Sequence, residues 1–204
     1  MTAIDLHSGA SVDRVTGPRS VKGYWSQRGL SLIEISVVTV IVLLLAVLAV
    51  PAIQGYLVEN RVPKVGEALA HYVLRQHLNA SVHGAGQYEG MNIDHFSRQN
   101  QDKAVFNIQG QGGQIVVNHG LGKDGELLIN EMDSGQALEL RLTGVHHAAC
   151  PSLATVLHQV ADEIHIGPEG RLVQVKGEQR TYNAFHAQQQ CEDGEVNTFR
   201  FVIR

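Results

Sequence analysis

A single carboxylate stands inside the most apolar stretch of this 204-residue chain. Across residues 30–50 the only charged side chain is Glu34, and Pro51 closes the stretch. A charged side chain inside a lipid bilayer costs about 2.5–3.5 kcal/mol on insertion scales and usually marks function. We therefore expect Glu34 to act electrostatically. Its carboxylate needs a cationic partner when the apolar residues around it are buried away from water.

The sequence places three possible metal ligands close together, His146, His147 and Cys150. A zinc site takes about four ligands, and a disulfide at Cys150 would leave no obvious third and fourth ligand beside the two histidines. We therefore do not predict a metal site here. The remaining histidines of the globular part are scattered.

Two glycine-rich stretches raise the question of a nucleotide site. Residues 120–123 lack the spacing of a P-loop and the Ser or Thr after its lysine, and residues 110–113 lack the full dinucleotide pattern. We interpret both as turns and predict no cofactor. No Ser-His-Asp or Cys-His arrangement stands out either, although such triads are defined in space rather than by spacing. We therefore expect that the chain is not an enzyme.

The only two cysteines are Cys150 and Cys191. Arg19, Lys22 and Arg28 precede the apolar stretch, and cations on that side favour a cytoplasmic N-terminus and an exported C-terminal part. A cysteine pair in an oxidising compartment usually closes a disulfide. We predict a Cys150–Cys191 disulfide, with two buried free thiols or two metal ligands as the alternatives.

The composition is that of one globular domain with an appendage. Hydrophobic residues make up 44% and charged residues 18% of the chain, and the formal net charge is −4. A nucleic-acid footprint would need a basic patch, which the sequence does not offer. Residues 1–27 show no sustained period and are typical of a flexible leader.

The apolar stretch and the sequence after it predict one long helix. As a helix, residues 30–50 would span about 31 Å, the thickness of one bilayer core. Beyond Pro51 the pattern becomes amphipathic, with one face at steps of four and three residues, formed by Val58, Val62, Val65, Leu69, Tyr72 and Gln76. Pro51, Gly55, Pro63 and Gly66 predict kinks or local melting, with a helix-loop-helix as the alternative.

The rest of the chain predicts an α+β domain in which this helix packs on an antiparallel sheet. After a surface connection over residues 81–101, a meander of four strands is expected, followed by a helix over residues 150–160, a hairpin and a final strand. The four expected meander strands are 104–108, 114–118, 126–130 and 137–142, the hairpin strands are 163–166 and 171–175, and the final strand is 197–203.

The segment Gly29-Leu30-Ser31-Leu32-Ile33-Glu34, with Arg28 before it and Pro51 near the end of the apolar helix, resembles the prepilin processing site of type IV pilins. The resemblance implies that a membrane-embedded aspartic peptidase cuts between Gly29 and Leu30 and methylates the new N-terminus at Leu30. It also implies that Glu34 and Pro51 serve assembly. The long leader and a first mature residue other than phenylalanine resemble the type IVb branch.

The resemblance further implies a structural subunit that waits in the inner membrane and then joins a helical surface fibre with its own copies. Its partners would be the prepilin peptidase and the inner-membrane assembly machinery. The expected parts are a cleaved leader (1–29), a transmembrane half-helix (30–57) and a periplasmic domain closed by the disulfide (58–204). The alternatives are a minor pilin or a type II secretion pseudopilin and, outside the family, a signal-anchored periplasmic enzyme or binding domain.

Overall fold

The structure is a computed structural model that describes residues 31–80, 86–100, 105–110 and 114–204, with the backbone alone at residues 50–52 and 80. The leader, Gly29 and Leu30 therefore lie outside the described residues, as do parts of the 81–101 connection and of the 110–113 turn. The chain divides into two compact units, Met1–Val42 and Leu43–Arg204.

The described residues form four α-helices and seven strands. The helices are α1 Leu32–Ala80, α2 Ile93–Gln99, α3 Cys150–Leu157 and α4 Ala184–Gln188. The strands are β1 Asn107–Gln109, β2 Val116–Asn118, β3 Leu127–Met132, β4 Ala137–Val145, β5 Glu163–Pro168, β6 Val173–Lys176 and β7 Asn197–Ile203.

Helix α1 begins where the carbonyl of Ser31 accepts the N–H groups of Glu34, at 3.0 Å, and Ile35, at 3.2 Å. It continues through Pro51, Gly55, Pro63 and Gly66 without interruption, so local melting and the helix-loop-helix alternative are wrong. A proline removes one helical hydrogen bond, and the remaining bonds keep α1 continuous here.

The amphipathic face predicted for the second half of α1 is confirmed. Val62, Val65, Leu69, Tyr72 and Gln76 are buried, and the apolar ones among them belong to the same core as the inner face of the sheet. Burying an aliphatic or aromatic side chain contributes about 1.5–3 kcal/mol. This face therefore fixes the second half of the helix on the globular part of the chain.

The main sheet has five antiparallel strands in the order β3-β4-β7-β5-β6. Its inner face is apolar because alternate residues point to one side: Leu142 lies opposite Leu127 on one neighbour and Phe199 on the other, and Phe199 lies opposite Ile166. The predicted antiparallel sheet, the α+β fold and the final strand are thus confirmed.

The predicted four-strand meander is only half right. Strands β3 and β4 form a hairpin in the main sheet, but β1 and β2 pair with each other in a separate two-stranded sheet. Strand β7, the last in the chain, lies between β4 and β5. The sequence shows the strands but not these distant pairings, and it did not predict the short helix α4.

The Cys150–Cys191 disulfide is present, with 6.3 Å between the two Cα atoms. It joins the first residue of α3 to the segment that follows α4. Buried Asn197 then directs the chain into β7: its Nδ2 donates to the carbonyls of Glu192, at 2.8 Å, and Val145, at 3.2 Å, while its Oδ1 accepts the N–H of Glu192 at 2.7 Å. The disulfide-closed C-terminal segment is therefore part of the fold, as predicted.

Candidate functional site

The first half of α1 exposes its apolar side chains. Every described side chain over residues 32–49 is exposed, with 88% exposure at Leu32 and 74% at Leu48. By its length and composition α1 is able to cross a membrane, and its most apolar window is unburied, unlike that of a core helix. Such a surface is unfavourable in water, at about 25 cal/mol per Å² of apolar area. It requires lipid or other apolar helices around it.

Glu34 lies in the first turn of this exposed segment. The two other polar side chains over residues 32–49 are satisfied inside the helix: the Ser36 hydroxyl donates to the Ile33 carbonyl and the Thr39 hydroxyl to the Ile35 carbonyl, each at 2.8 Å. Within the described part of the chain, Glu34 has no ion-pair or side-chain hydrogen-bond partner. A carboxylate in apolar surroundings remains to be paired from outside these residues.

The other residues predicted for processing and assembly are only partly visible. Gly29 and Leu30 lie outside the described residues, so their predicted cleavage and methylation stay predictions. Pro51 lies within α1, where only its backbone is described. Its predicted role in assembly is likewise untested by the geometry.

The residues that raised the question of a metal site have other partners. Cys150 is in the disulfide. The rings of His146 and His147 stack with their centroids 4.3 Å apart, and each Nδ1 accepts a backbone N–H, from Ala148 at 3.1 Å and from Gly194 at 3.2 Å. These contacts shape the loop before α3. Burial and the neighbouring His147 lower the pKa of His146, which favours its neutral form.

A charged cluster on the outer face of the sheet was not predicted from the sequence. The nearly buried carboxylate of Glu139 accepts from Arg200 Nε at 2.6 Å and lies 3.2 Å from Arg141 Nε. Burial and Arg200 lower the pKa of His165, which lies beside Arg200 on the next strand. The alternation of Glu139 and Arg141 with leucines in the sequence indicated that both lie on the outer face of a strand. The sequence did not indicate that the neighbouring strand carries Arg200.

Comparisons with known proteins give a likeness among solved structures. No family model matches the chain, and no curated protein matches it. Among solved structures, the crystal structure of a type IV b pilin from Salmonella typhi matches 58% of this chain and 78% of that chain, with 15% sequence identity and a TM-score of 0.39. A likeness at this level does not assign a function.

Proposed function

We propose that this chain is a structural subunit of a type IVb-like pilus, made as a precursor and packed into a helical surface fibre. The observation that carries the proposal is the exposed apolar half of α1, whose first turn contains Glu34, a carboxylate with no side-chain partner among the described residues. A signal peptide or plain membrane anchor would need no acid at that position. A fibre core built from such helices would both cover the apolar surface and offer a partner for the acid.

The precursor would lie in the inner membrane with its leader, residues 1–29, in the cytoplasm. A prepilin peptidase would cut between Gly29 and Leu30 and methylate Leu30. The assembly machinery of the inner membrane would then move the subunit from lipid into the fibre, where residues 30–57 of neighbouring copies pack together. Residues 58–204 would then form the outside of the fibre. Head-to-tail contacts that do not close into a ring would extend it as a filament.

The processing step is tested at Gly29. Cleavage of an extended segment at a membrane surface needs access to the backbone, which a side chain at residue 29 would obstruct. Gly29→Val should therefore leave an uncut precursor, while wild type should yield a mature chain that begins at methylated Leu30. Mass spectrometry of both proteins measures this. A wild-type chain that begins at another residue would contradict the proposed processing.

The assembly step is tested by imaging cells with and without the chain. Fibres that disappear on deletion and return on complementation support a pilus subunit. Quantifying the chain in sheared fibres separates the roles, because a major subunit dominates the preparation. A processed chain that is only a trace component would instead be a minor pilin or a pseudopilin, and an unprocessed anchored chain would point to a periplasmic enzyme or binding domain.

A further inference from the structure

Two adjoining cavities in the second unit meet at a pair of cations, Arg61 on α1 and Lys123 in the loop between β2 and β3. The first cavity measures about 500 Å³ and is mainly polar, and the second measures about 530 Å³. Small-molecule sites in proteins usually measure about 300–1,000 Å³. We call the first cavity the cation groove; its polar side chains are Arg61, Asn107, Gln109, Asn118, Lys123 and Asp124.

Five of the six polar side chains of the cation groove are exposed and are not used by the fold, whereas Asn118 donates from Nδ2 to the carbonyl of Gly125 at 3.3 Å. Among the described residues, the side chains of Arg61, Asn107, Gln109, Lys123 and Asp124 have neither a hydrogen-bond nor an ion-pair partner. They come from α1, from β1 and from the loop after β2, so the fold brings them to one concave surface from separate parts of the sequence. Polar groups that line a cavity can fix the orientation of a ligand, and a lining as polar as this one favours a polar ligand.

Hydrogen bonds of a buried histidine fix the start of the loop that carries Lys123 and Asp124. Buried His119 accepts the N–H of Leu121 through Nδ1 at 3.0 Å and donates from Nε2 to the carbonyl of Thr143 at 2.9 Å. The carbonyl of Leu121 in turn accepts the N–H of His146 at 2.8 Å. Since a preorganised site loses less conformational entropy on binding, this anchoring favours recognition of a small ligand.

The chemistry of the lining selects the ligand. Guanidinium and ammonium groups supply donors only, the two carboxamides of β1 supply donors and acceptors, and Asp124 supplies one acceptor group. This set fits a ligand with one anionic group for Arg61 and Lys123 and with hydroxyl groups for the amides and Asp124. Among the residues that the structure describes, no aromatic side chain lines the groove to stack a nucleobase, and the carboxylate of Asp124 would repel a multiply charged phosphate.

We propose that the cation groove binds an acidic saccharide, a sugar that carries a carboxylate. Arg61 pairs with the sugar carboxylate and Lys123 adds a second positive charge. Asn107, Gln109 and Asp124 bind the ring hydroxyls. Two sources share this chemistry: uronic acids of matrix polysaccharides and sialic acids that terminate glycans. The groove is a ligand site of the unassembled chain and does not depend on fibre formation.

The test is saturation-transfer NMR and calorimetry on the detergent-solubilised full chain, with glucuronate and N-acetylneuraminate as probes. For a ligand of this size we expect a dissociation constant of about 1 mM. Glucose, which has the same ring without the carboxylate, and acetate, which has the carboxylate without the ring, are the matched ligand controls. Both should bind at least tenfold more weakly, because each lacks one half of the contacts.

Two variants remove one cation each. Arg61→Gln and Lys123→Gln should each weaken binding of the acidic sugar about tenfold or more, since each loses a charge-assisted contact. Arg75→Gln is the matched control, an exposed arginine of the same helix outside the groove, and it should bind as wild type. Melting curves of all three identify a variant that has lost its fold, in which case the other variant decides.

Saturable binding of glucuronate, N-acetylneuraminate or both, lost in the groove variants alone, supports the proposal, and the preferred probe identifies the source. If glucose bound as tightly as the acidic sugars, the groove would not recognise the carboxylate. Equal binding of acetate or inorganic phosphate would show general anion binding. Either result overturns the proposal, as does a loss of equal size in Arg75→Gln or the absence of saturable binding to both acidic sugars.

Discussion

At the scale of single residues, His119 couples the fold to pH. Its ring is fully buried and makes two hydrogen bonds, with the N–H of Leu121 and the carbonyl of Thr143. Burial lowers the pKa of His119 from 6.5 to about 4, while the bond to Thr143 acts in the opposite direction. The folded state therefore keeps this imidazole neutral in a range where the unfolded chain takes up a proton.

The sign of the pH dependence follows from that difference. The stability that neutral His119 contributes is fully present above pH 6.5 and is lost as the pH falls to about 4. The loss amounts to about 3 kcal/mol for a group buried this completely. We expect the free energy of unfolding of the full chain, measured with guanidinium chloride in detergent, to fall across that window.

Variants separate His119 from the other histidines whose pKa is lowered, His146 and His165. His119→Gln should be less stable than wild type above pH 6.5, because the two ring hydrogen bonds are disrupted, but its stability should fall less steeply below that pH. His186→Gln, an exposed position on α4 whose side chain makes no hydrogen bond or ion pair with the described residues, should keep the wild-type pH dependence. An identical slope in wild type and His119→Gln would show that His119 does not carry the effect.

At the scale of elements, the contact between α1 and α3 explains why Gly66 lies inside a continuous helix, although the sequence alone presents it as a helix breaker. It is buried where α1 approaches α3, and a Cβ atom at residue 66 would lie 2.6 Å from Val156 Cγ1 and 3.1 Å from Val156 Cβ. The glycine is therefore a packing residue. The helix continues through it because close contact with α3 offsets the intrinsic cost of glycine, which is about 1 kcal/mol relative to alanine.

Gly66→Ala should lower the stability of the globular part by about 1–3 kcal/mol, through overpacking against a β-branched side chain. Val156→Ala removes the Cγ1 atom that lies 2.6 Å from the added Cβ and leaves only the Cβ at 3.1 Å, so the double variant should recover most of the stability that Gly66→Ala loses. Chemical unfolding of the two single variants and the double variant forms the cycle. Simple additivity of the two losses would mean that residues 66 and 156 are not coupled.

The disulfide acts on the elements between its cysteines. It closes a segment with a sequence separation of 41 that contains α3, the β5–β6 hairpin and α4. The chain-entropy model gives about 4 kcal/mol of stabilisation for such a loop. Cys191→Ser should therefore reduce the amount of the chain recovered from cells, by exposing the domain to proteolysis, and Cys150→Ser should also reduce it. Thiol labelling of the non-reduced wild-type chain checks the bridge directly, and two free thiols there would refute it.

Local patterns made some of these elements predictable and left others hidden. The spacing of Val62, Val65 and Leu69 identified the packed face of α1, since a helical period is visible within a few turns. The final strand was found with its observed limits, but its central place in the sheet depends on pairing with β4 and β5, which no local pattern encodes. The placement of Arg61 and Lys123 at the lining of the same cavity was missed for the same reason.

At the scale of the whole molecule, the proposed function gives Glu34 a role in assembly. Cleavage after Gly29 would leave a positively charged amine on Leu30, one helical turn from the Glu34 carboxylate of the same chain. In a fibre, the amine of an incoming subunit could instead meet the Glu34 of a docked one, in surroundings where an unpaired charge costs several kcal/mol. A subunit out of axial register would bury both charges unpaired, so the pair would select the register.

The variant Glu34→Gln tests this role because it keeps nearly the same shape without the charge. We expect it to be processed and to accumulate in the inner membrane, yet to add poorly to fibres, since the incoming amine would find no carboxylate. Mass spectrometry measures processing, and counting fibres on cells that express only the variant measures assembly. The matched control is Ser36→Ala, which should assemble as wild type. Ser36 is a polar residue of the same segment, and its hydroxyl donates a hydrogen bond within its own helix. Wild-type fibre numbers with Glu34→Gln as the sole subunit would show that the charge does not set the register, even if the chain is a pilin.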